Sequence, residues 1–246
     1  ALGTELSEIV LVGRKGFSDG ITVVSSGQVE IAHAQIGTKL NALRVDAGLM
    51  ISNARVNSAG SIAAVEAFVS VDSCVFDGGP MSSVIGMVKV TNSSFENGAY
   101  ASLGGLIHID NVSIDAGLLN YQSESTAHPI LLDNLSVSNN IGGPGIRLYG
   151  PNFMLGDNVT LENNLYPIEM DFSGAGLMHG SRIDADANTN NYIPVERLGL
   201  AQQREWANTG VPYVIGDFPQ IYGGSLDVQP GTNLKFLSDA GAFLVQ

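Results

Sequence analysis

Apolar and polar side chains alternate along much of this chain in runs of three to five residues, each run closed by Gly, Asn, Ser or Asp. Alternation with a period of two marks half-buried strands, and runs this short between turn residues predict many small strands. One pattern recurs. Ile51-Ser52-Asn53-Ala54-Arg55-Val56 has counterparts beginning at Ile31, Val71, Val90, Ile109, Leu132 and Gly156. The central residue falls at positions 33, 53, 73, 92, 111, 134 and 158, in steps of 20, 20, 19, 19, 23 and 24. Periodicity in this range predicts a solenoid.

Within each copy the side chains two before the central residue, one after it and three after it are apolar or small, as in Ile51, Ala54 and Val56. These are predicted to point inward. The alternation breaks at the central residue, and a break in alternation means a corner. Asn tolerates the left-handed conformation such a corner needs better than most residues do. Strands this short cannot bury a face alone, so each is expected to stack in parallel register on its equivalent one turn away. Roughly ten turns at about 4.8 Å each would make a rod near 50 Å long.

This pattern resembles the right-handed parallel β-helix proteins of the pectate-lyase-like superfamily, whose repeats carry an asparagine ladder at one corner. Asn53, Asn92, Asn111, Asn134 and Asn158 match that ladder, whereas His33 and Ser73 depart from it. The resemblance implies an all-β, right-handed, single-stranded parallel β-helix over residues 21 to 183 and again 211 to 246. It says little about activity, because the superfamily holds lyases, hydrolases, adhesins and tail proteins.

One domain over residues 1–246 is expected, with regular turns over 1–183, a loop and helix excursion over 184–210 and further turns over 211–246. The repeat reads as interrupted from Asp184 to Asn191. Pro194 at a first helical position, Val195, Leu198 and Ala201 on one face and Gly210 beyond predict one short lateral helix, with Trp206 anchoring it to the solenoid wall. The segment from Val211 through Gln229-Pro230-Gly231-Thr232 to Phe236 resembles a recurring stretch of bacterial secreted β-helix proteins. The last strand, Ala242 to Val245, is followed by no polar capping element, so a fragment of a longer protein is expected.

Composition narrows the partners. The 30 Gly and 14% charged residues suit strands joined by tight turns, and 11 basic against 24 acidic residues give a net charge of -13. That balance argues against nucleic acid and anionic membranes, which reward clustered Lys and Arg. No apolar run reaches the length of a membrane helix, and the first residues lack the features of a signal peptide. The single Cys74 rules out an intrachain disulfide and reads as a buried small side chain in an inward row.

Two groups of residues are candidates for chemistry. Asp184, Asp186, Asn188 and Asn190, with Glu196 beyond them, place oxygen ligands at alternate loop positions, as a calcium loop does, although Thr189 stands where such loops carry Gly. Calcium is therefore the candidate cofactor, and the fold itself requires none. Asp77, Glu96, Asp115 and Glu162, with Asp184, form an outward acidic row four residues after the corner, the candidate ligand face. A second row, Asp72, Asp110, Asp133 and Asp157, precedes it. Stacked carboxylates are expected to couple and to raise some pKa values, as glycoside hydrolysis requires. The superfamily's basic catalytic motifs are matched only faintly by His179 to Ile183, and Arg55 and Arg182 are the candidate bases.

The expectation from sequence is a non-catalytic extracellular module of a bacterial surface or secreted protein. It would act as a rigid display or binding scaffold toward carbohydrate or another surface protein. Alternatives are a polysaccharide lyase or glycoside hydrolase of the superfamily, and a structural module of a fibre or tail.

Overall fold

The computed structural model describes residues 9–12, 20–24, 27–43, 47–84, 86–103, 105–122, 130–149, 153–170, 177–178, 183–195, 199–200, 203–216, 220–221, 224–237 and 244–245. The chain is an all-β parallel solenoid. Contacts divide it into two compact units, Ala1–Leu119 and Asn120–Gln246. No helix among the described residues is long and apolar enough to cross a membrane.

Each regular turn of the first unit has three faces. The first face stacks Gln28–Ala32, Gly48–Ser52, Phe68–Asp72 and the first halves of Gly86–Glu96 and Gly105–Asp115. After a corner, the second face stacks Ala34–Gly37, Arg55–Asn57, Val75–Asp77 and the second halves of the two long strands. The third face stacks Ile21–Val24, Lys39–Leu43, Ser61–Val65, Met81–Val84 and Ala101–Leu103. All these pairs are parallel and in register, so identical positions of successive turns lie above one another.

The inward rows are those the alternation predicts. Ile31, Ile51, Val71, Val90 and Ile109 are buried, as are Ala34, Ala54, Cys74, Ser93 and Val112, and Ile36, Val56, Phe76, Phe95 and Ile114. Phe76 and Phe95 stack with ring centroids 4.3 Å apart and planes 6° from parallel. Burying a ring of this size contributes roughly 2 to 3 kcal/mol, and stacking in register gives each ring an identical neighbour.

The corner is left-handed at every copy of the pattern. Backbone φ is 51° at His33, 50° at Asn53, 54° at Ser73, 50° at Asn92 and 54° at Asn111. In the second unit it is 45° at Asn134 and 56° at Asn158. His33 and Ser73 therefore keep the conformation although they lack the amide. The corner N–H donates across to the next turn, from His33 to Ser52 O and from Asn53 to Asp72 O, each at 3.1 Å. A second left-handed corner lies five residues further on, at Gly78, Asn97 and Ala116 in the first unit and Asn139, Asn163 and Ala187 in the second.

The second unit follows the same plan with longer turns. Ile130–Ser138 pairs with Phe153–Leu155 and with Thr160–Glu162. The third face stacks Pro144–Tyr149, Tyr166–Met170, Ile193–Val195, Tyr213–Ile215 and Leu234–Phe236. Leu132, Leu135, Val137, Val159 and Leu161 are buried in the expected rows.

Two expectations are corrected here. The expected interruption over 184–191 is a further turn: Asp184 bridges Thr160, Thr189 N–H donates to Asn164 O at 2.8 Å, and Met170 pairs with Val195. Its register was hidden because the position 24 residues after Asn158 is Arg182 rather than Asn. In place of the lateral helix expected over 194–206, the described residues of that span form strands, and no helix is found among the described residues. The segment supplies strands Ile193–Val195, Gly199–Leu200 and Gln203–Trp206, each held by a parallel partner. Trp206 is fully buried in the core, stacked on Tyr213 at 4.9 Å.

Candidate functional site

The polar rows flank the corners, where side chains of successive turns meet. In the first unit, register pairs Ser52 with Asp72, Asp72 with Thr91 and Thr91 with Asp110. Acid thus alternates with hydroxyl. Asp72 accepts from Thr91 Oγ1 at 2.7 Å, from Asn92 Nδ2 at 2.8 Å and from Ser73 Oγ at 3.1 Å. The Asn111 amide continues the line by donating to Asn92 Oδ1 at 2.7 Å. In the second unit Asn158 donates to Asn134 Oδ1 at 2.9 Å. The corner ladder is therefore a chain of side-chain amides that the asparagine spacing anticipates.

On the second face Asp77 and Glu96 are register neighbours, and Asp115 follows Ile114, the partner of Phe95. Asp77 is saturated by its surroundings. Arg55 Nη2 lies 2.6 Å from its Oδ2, and Asn97 Nδ2 donates to its Oδ1 at 2.6 Å. Glu96 accepts from Ser94 Oγ at 3.1 Å. In the second unit Glu162 pairs with Ser138. Asp184 does not extend this row, because it aligns with Thr160, two residues before Glu162.

At Asp72 and Asp77 these contacts reverse the direction expected for stacked carboxylates. The Thr91 hydroxyl and the Asn92 amide hold the Asp72 carboxyl below its ordinary value, and the Asn97 amide with Arg55 does the same for Asp77. Donors from the adjacent turn stabilise the charged form, and here they outweigh the opposing effect of burial. Arg55 is pushed up by its bond to Asp77, which opposes loss of its proton. Arg182 and His179 lie outside the described residues. His108 is exposed on the first face and aligned with Lys89. Burial pushes the Cys74 thiol up to about 11. Its Sγ donates to Asp72 O at 3.2 Å, so it is an inert core side chain.

The candidate calcium loop has a different internal logic from the one its spacing suggests. Asn188 Nδ2 donates to Leu161 O at 2.7 Å and Ala185 O at 2.8 Å, and its Oδ1 accepts from Asn164 N–H at 2.8 Å. Asn164, fully buried, repeats this arrangement one turn earlier: Nδ2 donates to Val137 O at 3.0 Å, and Oδ1 accepts from Asn140 N–H at 3.0 Å. Asn140, Asn164 and Asn188 thus form a second, inner ladder, 24 residues apart at each step. The sequence carried that spacing, yet Asn164 reads there only as turn punctuation. Both ends of the Asn188 amide are consumed, which leaves Asp184, Asp186 and Asn190 of the expected ligands; Glu196 lies outside the described residues. Among the described residues, no group of three His, Cys, Asp or Glu side chains could hold a metal ion.

Elsewhere in the second unit Arg147 forms a two-point pair with Glu169, Nε to Oε1 at 2.7 Å and Nη2 to Oε2 at 3.3 Å, across neighbouring strands of the third face. Such forked pairs fix both side chains in place. Compared with family models, with curated proteins and with solved structures, the chain matches none. The fold places it in a class, the parallel β-solenoid repeat proteins.

Proposed function

We propose that this chain is a non-catalytic, extracellular β-helix module of the pectate-lyase-like type, from a bacterial surface or secreted protein. It serves as a rigid scaffold whose outward rows dock carbohydrate or another surface protein. The observation that supports this reading is the state of the carboxylates. Asp72 and Asp77 are each held ionised by donors from an adjacent turn, whereas a glycosidase acid must hold its proton near neutral pH. Their hydrogen-bonding capacity serves the stack. Glu96 and Asp115 in the first unit and Glu162 in the second lie on outward rows and are the carboxylates offered to a ligand.

The test is a panel of neutral and acidic polysaccharides, read in two ways on the same samples. The scaffold reading expects retention of at least one polymer, weakened by Glu96→Gln with Asp115→Asn, and no new reducing ends or unsaturated products. Product release that stops on substitution of an outward acid would establish the lyase or hydrolase reading instead. Absence of binding across the panel, with capture by a purified surface protein, would redirect the scaffold to a protein partner.

A further inference from the structure

The second corner of the first unit carries two peptide steps at which a following glycine leaves backbone nitrogen free to reach a side-chain carbonyl. They are Asp77-Gly78 and Asn97-Gly98, the latter the single Asn-Gly step in the sequence. They sit on adjacent turns, with Asp77 aligned with Glu96. Their surroundings differ.

Gly78 N–H donates to Glu96 O at 2.9 Å. The Asn97-Gly98 step instead forms the centre of a tight turn closed by Ala99 N–H on Glu96 O at 3.1 Å, with φ of 54° at Asn97 and 77° at Gly98. Two left-handed residues in that frame make a turn that Asn-Gly suits. Gly98 N–H itself makes no hydrogen bond among the described residues. Both residues are exposed, and a Cβ placed on Gly98 would meet nothing closer than Ala116 O at 4.0 Å. The attacking nitrogen is thus unengaged and reachable by water.

We propose that Asn97 is a site of spontaneous deamidation and isoaspartate formation, gated by its bond to Asp77. Gly98 N–H gives its proton to water or hydroxide, and the nitrogen attacks Asn97 Cγ. An N–Cγ bond forms, the Cγ–Nδ2 bond breaks, and the side-chain nitrogen leaves as ammonia after taking up a proton. Water then opens the five-membered imide at either carbonyl, giving aspartate or isoaspartate with no change in oxidation state.

Asp77-Gly78 does not follow the same course, because its nitrogen is engaged and its carboxylate is a poor electrophile. The gate is the Asn97 amide, which must leave Asp77 Oδ1, 2.6 Å away, before Cγ can turn toward Gly98. The product puts a carboxylate where that amide was, facing Asp77. Isoaspartate also lengthens the backbone at a corner whose spacing sets the register of the next strand.

The intact protein is incubated at mildly alkaline pH, with and without urea, and the amide-to-acid mass gain and isoaspartate content are mapped by peptide. In the native arm the gain is expected first at Asn97, ahead of Asn92-Ser93 and Asn57-Ser58, and Asp77→Ala is expected to raise its rate several-fold. In urea, where folding plays no part, Gly98→Ala should slow it roughly tenfold, since a Cβ restricts the approach. Asn97→Asp should lower the melting temperature, and adding Asp77→Asn should restore most of the loss. Conversion at either Asn-Ser step before Asn97 would overturn the site. An unchanged rate in Asp77→Ala would overturn the gate.

Discussion

Asparagine does two separate jobs in this chain, and single substitutions distinguish them. At Asn158 the side chain is exposed and its main service is to permit φ of 56°, with one bond to Asn134. Replacement by Gly should cost well under about 1 kcal/mol, since Gly accepts that backbone freely. Asn164 is fully buried and joins three segments through its amide and backbone N–H, so Asn164→Ala should cost about 2 kcal/mol or more by stranding Val137 O and Asn140 N–H. Urea midpoints of the two variants measure the difference; equal losses would contradict the inner ladder. The acids give a second prediction with a definite sign. Asp72 and Asp77 have folded pKa values depressed below the ordinary 3.8. Their stabilisation is therefore complete above that value and is lost as pH falls through the lower folded values. Thermal melts from pH 6 downward should show stability falling below about pH 4, and the combined Asp72→Asn, Asp77→Asn variant should show a shallower fall. An identical slope in that variant would mean that other carboxylates control acid unfolding.

At the scale of strands and turns, stability comes from rows, so a core substitution is felt by the turns on either side. Phe76→Ala removes a ring packed face to face on Phe95 and should cost about 3 to 5 kcal/mol. Arg55→Ala breaks an exposed ion pair and should change the urea midpoint little. A large loss in Arg55→Ala would mean that the outer row supports the stack. The inward rows were legible in the sequence because burial repeats with period two around a fixed break, as at Ile51, Ala54 and Val56. The strand at Gln203–Trp206 was not legible. Pro194, Val195, Leu198 and Ala201 fall at spacings that fit a helix face, and a succession of strands of two to four residues generates the same spacing. What decides between them is a partner strand 20 or more residues away, Ser225–Val228 for Gln203–Trp206, which no local pattern reports. The alternating donors beside Asp72 were missed for a related reason. Reading the acids down one row leaves out Thr91 and Asn92, whose contacts with Asp72 follow only from the register.

Over the whole molecule, a net charge of -13 and a sequence pI near 4.4 mean that the folded chain carries unrelieved repulsion among acids at neutral pH. Monovalent salt screens such repulsion over a Debye length of about 10 Å at 0.1 M. Raising salt at neutral pH should therefore raise the melting temperature of the wild-type protein. This general effect must be separated from binding at the 184–191 turn, because added calcium would also screen charge. The separating experiment compares excess chelator with calcium and with magnesium, all at one ionic strength. With Asn188 committed to Asn164, Leu161 and Ala185, the turn is held by its own ladder, and the melting temperature is expected to be the same in the three conditions. A rise with calcium alone that disappears in Asp186→Ala would show that Asp184, Asp186 and Asn190 recruit the cation despite the loss of Asn188 as a ligand. A rise with calcium that persists in Asp186→Ala would place a cation elsewhere, with the outward acids Glu96 and Asp115 the first to substitute.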